Sequence, residues 1–73
     1  MEQVKSLLDK LGIHYTITFH YITTEGERIS LYIEDKQGNR LDGRNKVTKK
    51  LIELLRMKYK KAYINKGIIS IIL

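Results

Sequence analysis

The residues best placed to do chemistry in this chain are cations. Arg40, Arg44, Lys46, Lys49, Lys50, Arg56 and Lys60 follow one another in a 73-residue sequence whose formal net charge is +6. Residues 1–35 carry three bases against six acids, whereas residues 36–73 carry eleven bases against Asp42 and Glu53. That asymmetry concentrates positive potential on one part of a small surface and favours polyanions or acidic protein partners. Lys46, Lys49 and Lys50, with Arg40 and Arg44 ahead of them, have the chemistry to hold successive phosphates, and a helix starting there adds its own partial positive charge. The same residue types also serve as the solubilising outer face of an ordinary helix in a Lys-rich chain.

Other chemistry is sparse. His14 and His20 lie six residues apart on one predicted strand, roughly 20 Å at 3.3 Å per residue, too far to share an ion held at about 2.1 Å. They are expected to be isolated, exposed side chains. Glu25, Glu27, Glu34 and Asp35 cluster around predicted turns, where solvated carboxylates are routine, and none stands beside an evident nucleophile. Ser6, Ser30 and Ser70 lack a neighbouring base in any recognisable arrangement. The glycines at 12, 26, 38, 43 and 67 fit neither GxGxxG nor GxxxxGK[ST], and with no Cys there are no disulfides or thiolate metal ligands. The expectation is a protein that is not an enzyme, with no metal, no cofactor and no small-molecule substrate.

The elements that must position the cations follow from periodicity. Read at the helical period, Val47, Leu51, Leu54, Leu55 and Tyr59 of the segment 44–61 form an apolar side. Lys46, Lys49, Lys50, Arg56 and Lys60, interrupted by Glu53, form the opposite one. Asp42 or Asn45 is the candidate N-cap. Upstream, Val4, Leu7, Leu8 and Leu11 predict a first helix closed by Gly12, with Ile13 folding back on Leu8 in a Schellman ending. From Ile13 the period becomes two: Ile13, Tyr15, Ile17, Phe19 and Tyr21 alternate with polar residues and predict a strand buried on one face. Thr23–Glu27 turns the chain into a second strand with Ile29, Leu31 and Ile33 inward. Asp35–Asn39 is another turn, after which Arg40 and Leu41 are expected in a short edge strand.

At the C-terminus, Asn65-Lys66-Gly67 reads either as a tight hairpin loop or as the end of the helix, and either way a last strand follows. That strand is apolar on both faces, Ile69 and Ile71 on one and Ile68 and Ile72 on the other. Two helices cover only one face of a sheet, so Ile69 and Ile71 are read as self-association residues of a homodimer; the plainer alternative is a central strand covered by its neighbours' long side chains. V4-KSLLDKL followed by a hairpin faintly echoes V47-TKKLIELL followed by AYI-NKG-IISIIL, an αββαββ pattern.

The expected architecture is thus one α+β domain over 1–73, a small two-layer sandwich of order α-β-β-(short β)-α-β(β), mainly antiparallel, with two helices on one face. No stretch approaches the roughly 20 apolar residues of a membrane span, and MEQVKSLLDK lacks a signal-peptide core, so no membrane association and a cytoplasmic location are expected. The order helix, hairpin, short strand and a helix opening Gly43-Arg44-Asn45-Lys46-Val47-Thr48-Lys49-Lys50 resembles, over residues 3–59, the double-stranded-RNA-binding domain. The resemblance implies a lysine cluster at the helix start directed at phosphates. It is an analogy and not membership: LIELL replaces that family's alanine-rich pattern, and the C-terminal strand has no place in it. The function expected is phosphate-backbone binding by the helix at about 44–61. The alternative is a non-enzymatic interaction module that self-associates through the isoleucine strand or docks on an acidic partner.

Overall fold

The computed structural model describes Met1–Leu73. The elements are α1 (Glu2–Lys10), β1 (His14–Thr23), β2 (Gly26–Glu34), α2 (Lys46–Lys58), β3 (Lys61–Asn65) and β4 (Ile68–Ile72). The strands form one antiparallel sheet in the order β1-β2-β4-β3. Both helices pack on one face of it, the two-layer α+β arrangement anticipated from the pattern. The short strand expected at Arg40–Leu41 is a single bridge between Glu34 and Arg40. With that strand absent and a hairpin following α2, the likeness to the double-stranded-RNA-binding domain extends no further than the first helix, the first hairpin and a later basic helix.

Local chemistry sets the element ends. Gly12, at φ +70°, closes α1: its N–H donates to Asp9 O at 3.1 Å and Ile13 N–H donates to Leu8 O at 3.0 Å, the paired bonds of a Schellman ending. Asn45, not Asp42, caps α2, its Oδ1 accepting from Val47 N–H at 2.9 Å. Asp42 instead orders the approach by accepting from Arg44 N–H at 2.9 Å. The helix stops at Lys58, because Tyr59 turns extended at φ −126°, and Asn65–Ile68 is a hairpin turn. Lys66 at φ +52° and Gly67 at φ +80° make it a type I′ turn, the form whose twist matches the flanking strands. Gly26, at φ +132°, leaves room that a Cβ would not: one built there would lie 2.9 Å from Leu73 O.

The core lies between the helices and the inward side of the two central strands: Val4 and Leu8 from α1, Leu51, Ile52 and Leu55 from α2, Ile29, Leu31 and Ile33 from β2, Ile69 and Ile71 from β4. Ile69 and Ile71, read as self-association residues, are therefore interior at 0% exposure, a correction that follows from β4 being central and under α2. The outward side of β4 is Ile68, Ser70 and Ile72, and Ile72 is only 5% exposed because neighbouring strands' long side chains cover it. The αββαββ echo is visible in the topology: each half supplies one inner strand, and Ser30 faces Ser70 at the middle of the β2–β4 ladder.

Two faces differ from expectation. The register of β1 shifts between Ile17 and Phe19, leaving Thr18 as a bulge whose Oγ1 donates to Ser30 O at 3.1 Å. Beyond it the alternation inverts, so Phe19 and Tyr21, expected in the core, point away from the helices and pair across from Ser30 and Arg28. In α2 the buried stripe is Thr48, Leu51, Ile52 and Leu55. Val47 and Leu54 lie on the α1 side in an open cleft with Leu11 and Ile13, and Val47 is 45% exposed. The apolar arc is wider than one contact, and the side over β3 is the one closed.

Thr48 Oγ1 is buried without a hydrogen-bond partner, so Thr48→Val, which keeps the shape and removes the hydroxyl, is expected to stabilise the fold by about 1 kcal/mol. Lys66→Asn places a residue tolerant of the left-handed region in the I′ turn and is expected to add about 0.5–1 kcal/mol. Urea midpoints at constant m-value check both; a lowered midpoint for either variant contradicts its account.

Candidate functional site

The Asn45 cap and the Asp42 turn present a run of cations at the start of α2. Arg44, Lys46, Lys49 and Lys50 are all exposed. The molecule has three ion pairs, Met1 N-terminus with Glu27, His20 with Glu27, and Lys61 with Glu25. None involves this run, so its charge is unneutralised by any carboxylate at contact distance. Glu53 interrupts the exposed side as the sequence implies and lines a shallow cleft with Lys49 and Arg56.

The seven predicted cations do not form one ridge. Arg44, Lys46, Lys49 and Lys50 group at the helix start, and Arg56 continues the side, its Nε donating to Ala62 O at 2.9 Å. Lys60 lies beyond the helix and reaches the first hairpin, Nζ donating to Glu25 O at 3.0 Å. Arg40 stands on the far side of the sheet, its guanidinium 3.8 Å from the centroid of the Tyr32 ring. The separation arises because α2 ends before Lys60 and because Arg40 is bridged to the outer end of β2.

The acids of the N-terminal half are engaged locally. Asp35 Oδ1 accepts from Gln37 N–H and Asn39 N–H, both at 2.9 Å, and organises the turn after β2. Those backbone donors, that of Asn39 foremost, hold its carboxyl below the usual carboxylate range. Glu27 bonds His20 through Nε2 and takes a longer contact of 3.4 Å from the Met1 amino group; the His20 bond first, then the amino group, lowers its pKa. The bulge is the reason His20 has a partner: it turns the ring to the helix side, opposite Ile29 and within reach of Glu27 two residues along β2, leaving His14 on the other face opposite Glu34. His20 is thus not the isolated histidine expected. No group of three or more His, Asp or Glu side chains comes together that would hold a metal ion.

The helix-free face of the sheet carries a feature that the alternation concealed. One cross-strand row reads Phe19, Ser30, Ser70, Tyr63 and the next Tyr21, Arg28, Ile72, Lys61. Arg28 sits between two rings, its guanidinium 6.0 Å from the Tyr21 centroid and 5.9 Å from that of Tyr63, with Nη2 donating to Tyr63 Oη at 2.6 Å. Four of the six aromatic residues, Phe19, Tyr21, Tyr32 and Tyr63, therefore share one surface with two arginines. The alternation with inward Leu31 and Ile33 leaves Tyr32 outward, but it places Phe19 and Tyr21 in the core, because nothing in TITFHY marks the bulge.

No protein-family model, no curated protein and no solved structure matches the chain.

Both lowered carboxyl groups contribute stability that is complete above the usual carboxylate range and is lost as pH falls through their depressed native values. Asp35→Asn keeps the acceptor oxygen and removes the titration. Its stability deficit relative to the wild type at pH 7 is expected to shrink as pH falls below 4, read from urea midpoints along a pH series; a deficit that grows on acidification contradicts the assignment.

Proposed function

We propose that this protein binds nucleic acid and is not an enzyme, gripping the phosphate backbone with Arg44, Lys46, Lys49 and Lys50 and extending the contact along α2 to Arg56. The observation that carries the reading is that none of the helix-start cations forms an ion pair, although Glu53 lies on the same side of α2. Cations with no internal partner release counterions when they meet a polyanion, and the first turn of a capped helix adds its partial positive charge to theirs. Lys49 and Lys50 are fully solvated side chains, so this grip orients a strand without reading its bases. Docking on an acidic protein would use the same residues. Association through Ile69 and Ile71 loses support from their burial.

About four phosphate contacts predict that affinity drops on the order of 10²-fold between 50 and 200 mM salt. Lys49→Glu combined with Lys50→Glu should weaken binding at least about tenfold at low salt and flatten the log–log salt slope by about two, with the circular dichroism spectrum unchanged. Salt-independent binding, or retention of the full slope in the double variant, removes the proposal.

A further inference from the structure

We propose that the helix-free face of the sheet is a second, base-binding surface that takes the unpaired bases of single-stranded nucleic acid, stacking them on Phe19, Tyr21 and Tyr63 around Arg28 and on Arg40 over Tyr32. This deepens the nucleic-acid reading by naming the form of the ligand, and it rests on that reading for the ligand's class.

Four observations converge on it. The face is flat and wet, because both helices lie on the other side, and strands about 4.8 Å apart set Phe19 on β1 and Tyr63 on β3 roughly 14 Å from each other, with two serines between. Small side chains at those two central positions give the flanking side chains room to lean across the sheet. Ser30 and Ser70 are accordingly only 9% and 6% exposed although they lie on the open face, whereas Phe19 is 68% exposed. Phe19, Tyr21 and Tyr63 are all exposed, and aromatic rings left in water stack on any base.

The charges select the ligand. Arg28 and Arg40 have no carboxylate partner. A guanidinium lying against a ring at 3.8 Å keeps its edge donors directed outward, the arrangement that pairs with a phosphate or base edge while the plane stacks. Glu34 is the one carboxylate among the outward-facing strand positions, and it already accepts from Thr16 Oγ1 at 2.9 Å. A second copy of the chain seated face to face would bring Arg28, Arg40 and Lys61 of each copy onto a shared surface with Glu34 as the one strand carboxylate to offset them. It would also seal Arg28 Nε, already buried without a partner, further from water. An anionic, unpaired strand supplies both the negative charge and the π-faces that this surface lacks.

The test compares a dT 12-mer, an abasic 12-mer of equal charge and a 12-base-pair duplex at fixed salt. The chain has no Trp, and Tyr21, Tyr32 and Tyr63 of its five Tyr lie on the face, so the greater part of its tyrosine residues can report on it. The dT strand is expected to bind about tenfold or more tightly than the abasic strand, and more tightly than the duplex, and to quench tyrosine emission. Phe19→Ala with Tyr21→Ala should bring dT affinity down to the abasic level while the salt slope stays. Lys49→Glu with Lys50→Glu should lower the slope while the dT-to-abasic ratio stays. Equal, steeply salt-dependent binding of dT and abasic strands without quenching leaves the α2 grip standing and overturns the base-binding face. Preference for the duplex also overturns it, as does a dimer in sedimentation that the Phe19/Tyr21 variant converts to monomer. Absence of binding to all three polyanions overturns the nucleic-acid reading itself.

Discussion

The antiparallel pairing of β2 with β4 is the constraint on which the molecule depends. In this register Ile29 opposes Ile71 and Leu31 opposes Ile69 on the helix side, while Arg28, Ser30, Ser70 and Ile72 occupy the other. A slip of one residue in either strand would carry two isoleucines or a leucine into water and bring Arg28 or a serine under the helices, so the hydrophobic effect defines one pairing. Everything outside the pair is arranged around it. Each central strand is the second strand of its own hairpin, each hairpin is preceded by its own helix, and the helices meet over the seam. Cleft residues show that they run antiparallel, Gln3 and Leu7 beside Lys58 and Tyr59 at one end, Leu11 beside Val47 and Leu54 at the other.

That layering separates two chemistries. On the helix side Lys46, Lys49 and Lys50 are exposed point charges whose attraction to a polyanion is screened by salt. On the bare side Arg28 and Arg40 are held against rings, and their interactions are short-ranged and directional. The sheet stands between the two surfaces, so neither modifies the other through direct contact. The carboxylates take little part in either: Asp35 orders a turn, Glu27 ties β2 to His20, and Glu25 bonds Lys61 at the hairpin end. Glu25, Glu27 and Asp35 are thus held away from the cations at the start of α2, which the net charge alone would not reveal.

Much of the architecture was legible in the residues, for identifiable reasons. Gly12 after Leu8 and Leu11 specifies a helix ending, since few other residues adopt its φ and the apolar Ile13 after it meets Leu8, five positions back. Asn65-Lys66-Gly67 between two apolar runs specifies a hairpin once the helix is known to stop short of it. The site was less legible. A bulge at Thr18 has no compositional mark, because the alternation Ile13 to Tyr21 is unbroken in the sequence and only the pairing with β2 shows that one residue is extra. Likewise the helix pattern carries apolar residues over a wide arc, and which edge closes depends on β3, an element that the sequence leaves open between a hairpin strand and a continuation of the helix. Both errors concern partners distant in sequence, whereas the successful readings concern neighbours within a turn.

The irregularity at Thr18 has an effect on the sheet's borders. An open sheet exposes the unpaired backbone groups of its outer strands, here β1 and β3, and such rims invite further chains to add on laterally. On β1 the extra residue breaks the regular spacing of those donors and acceptors and coils the strand locally. On β3 the rim is only five residues long and begins with a lysine. A protein with a bare, aromatic sheet surface is thereby guarded against polymerising edge to edge.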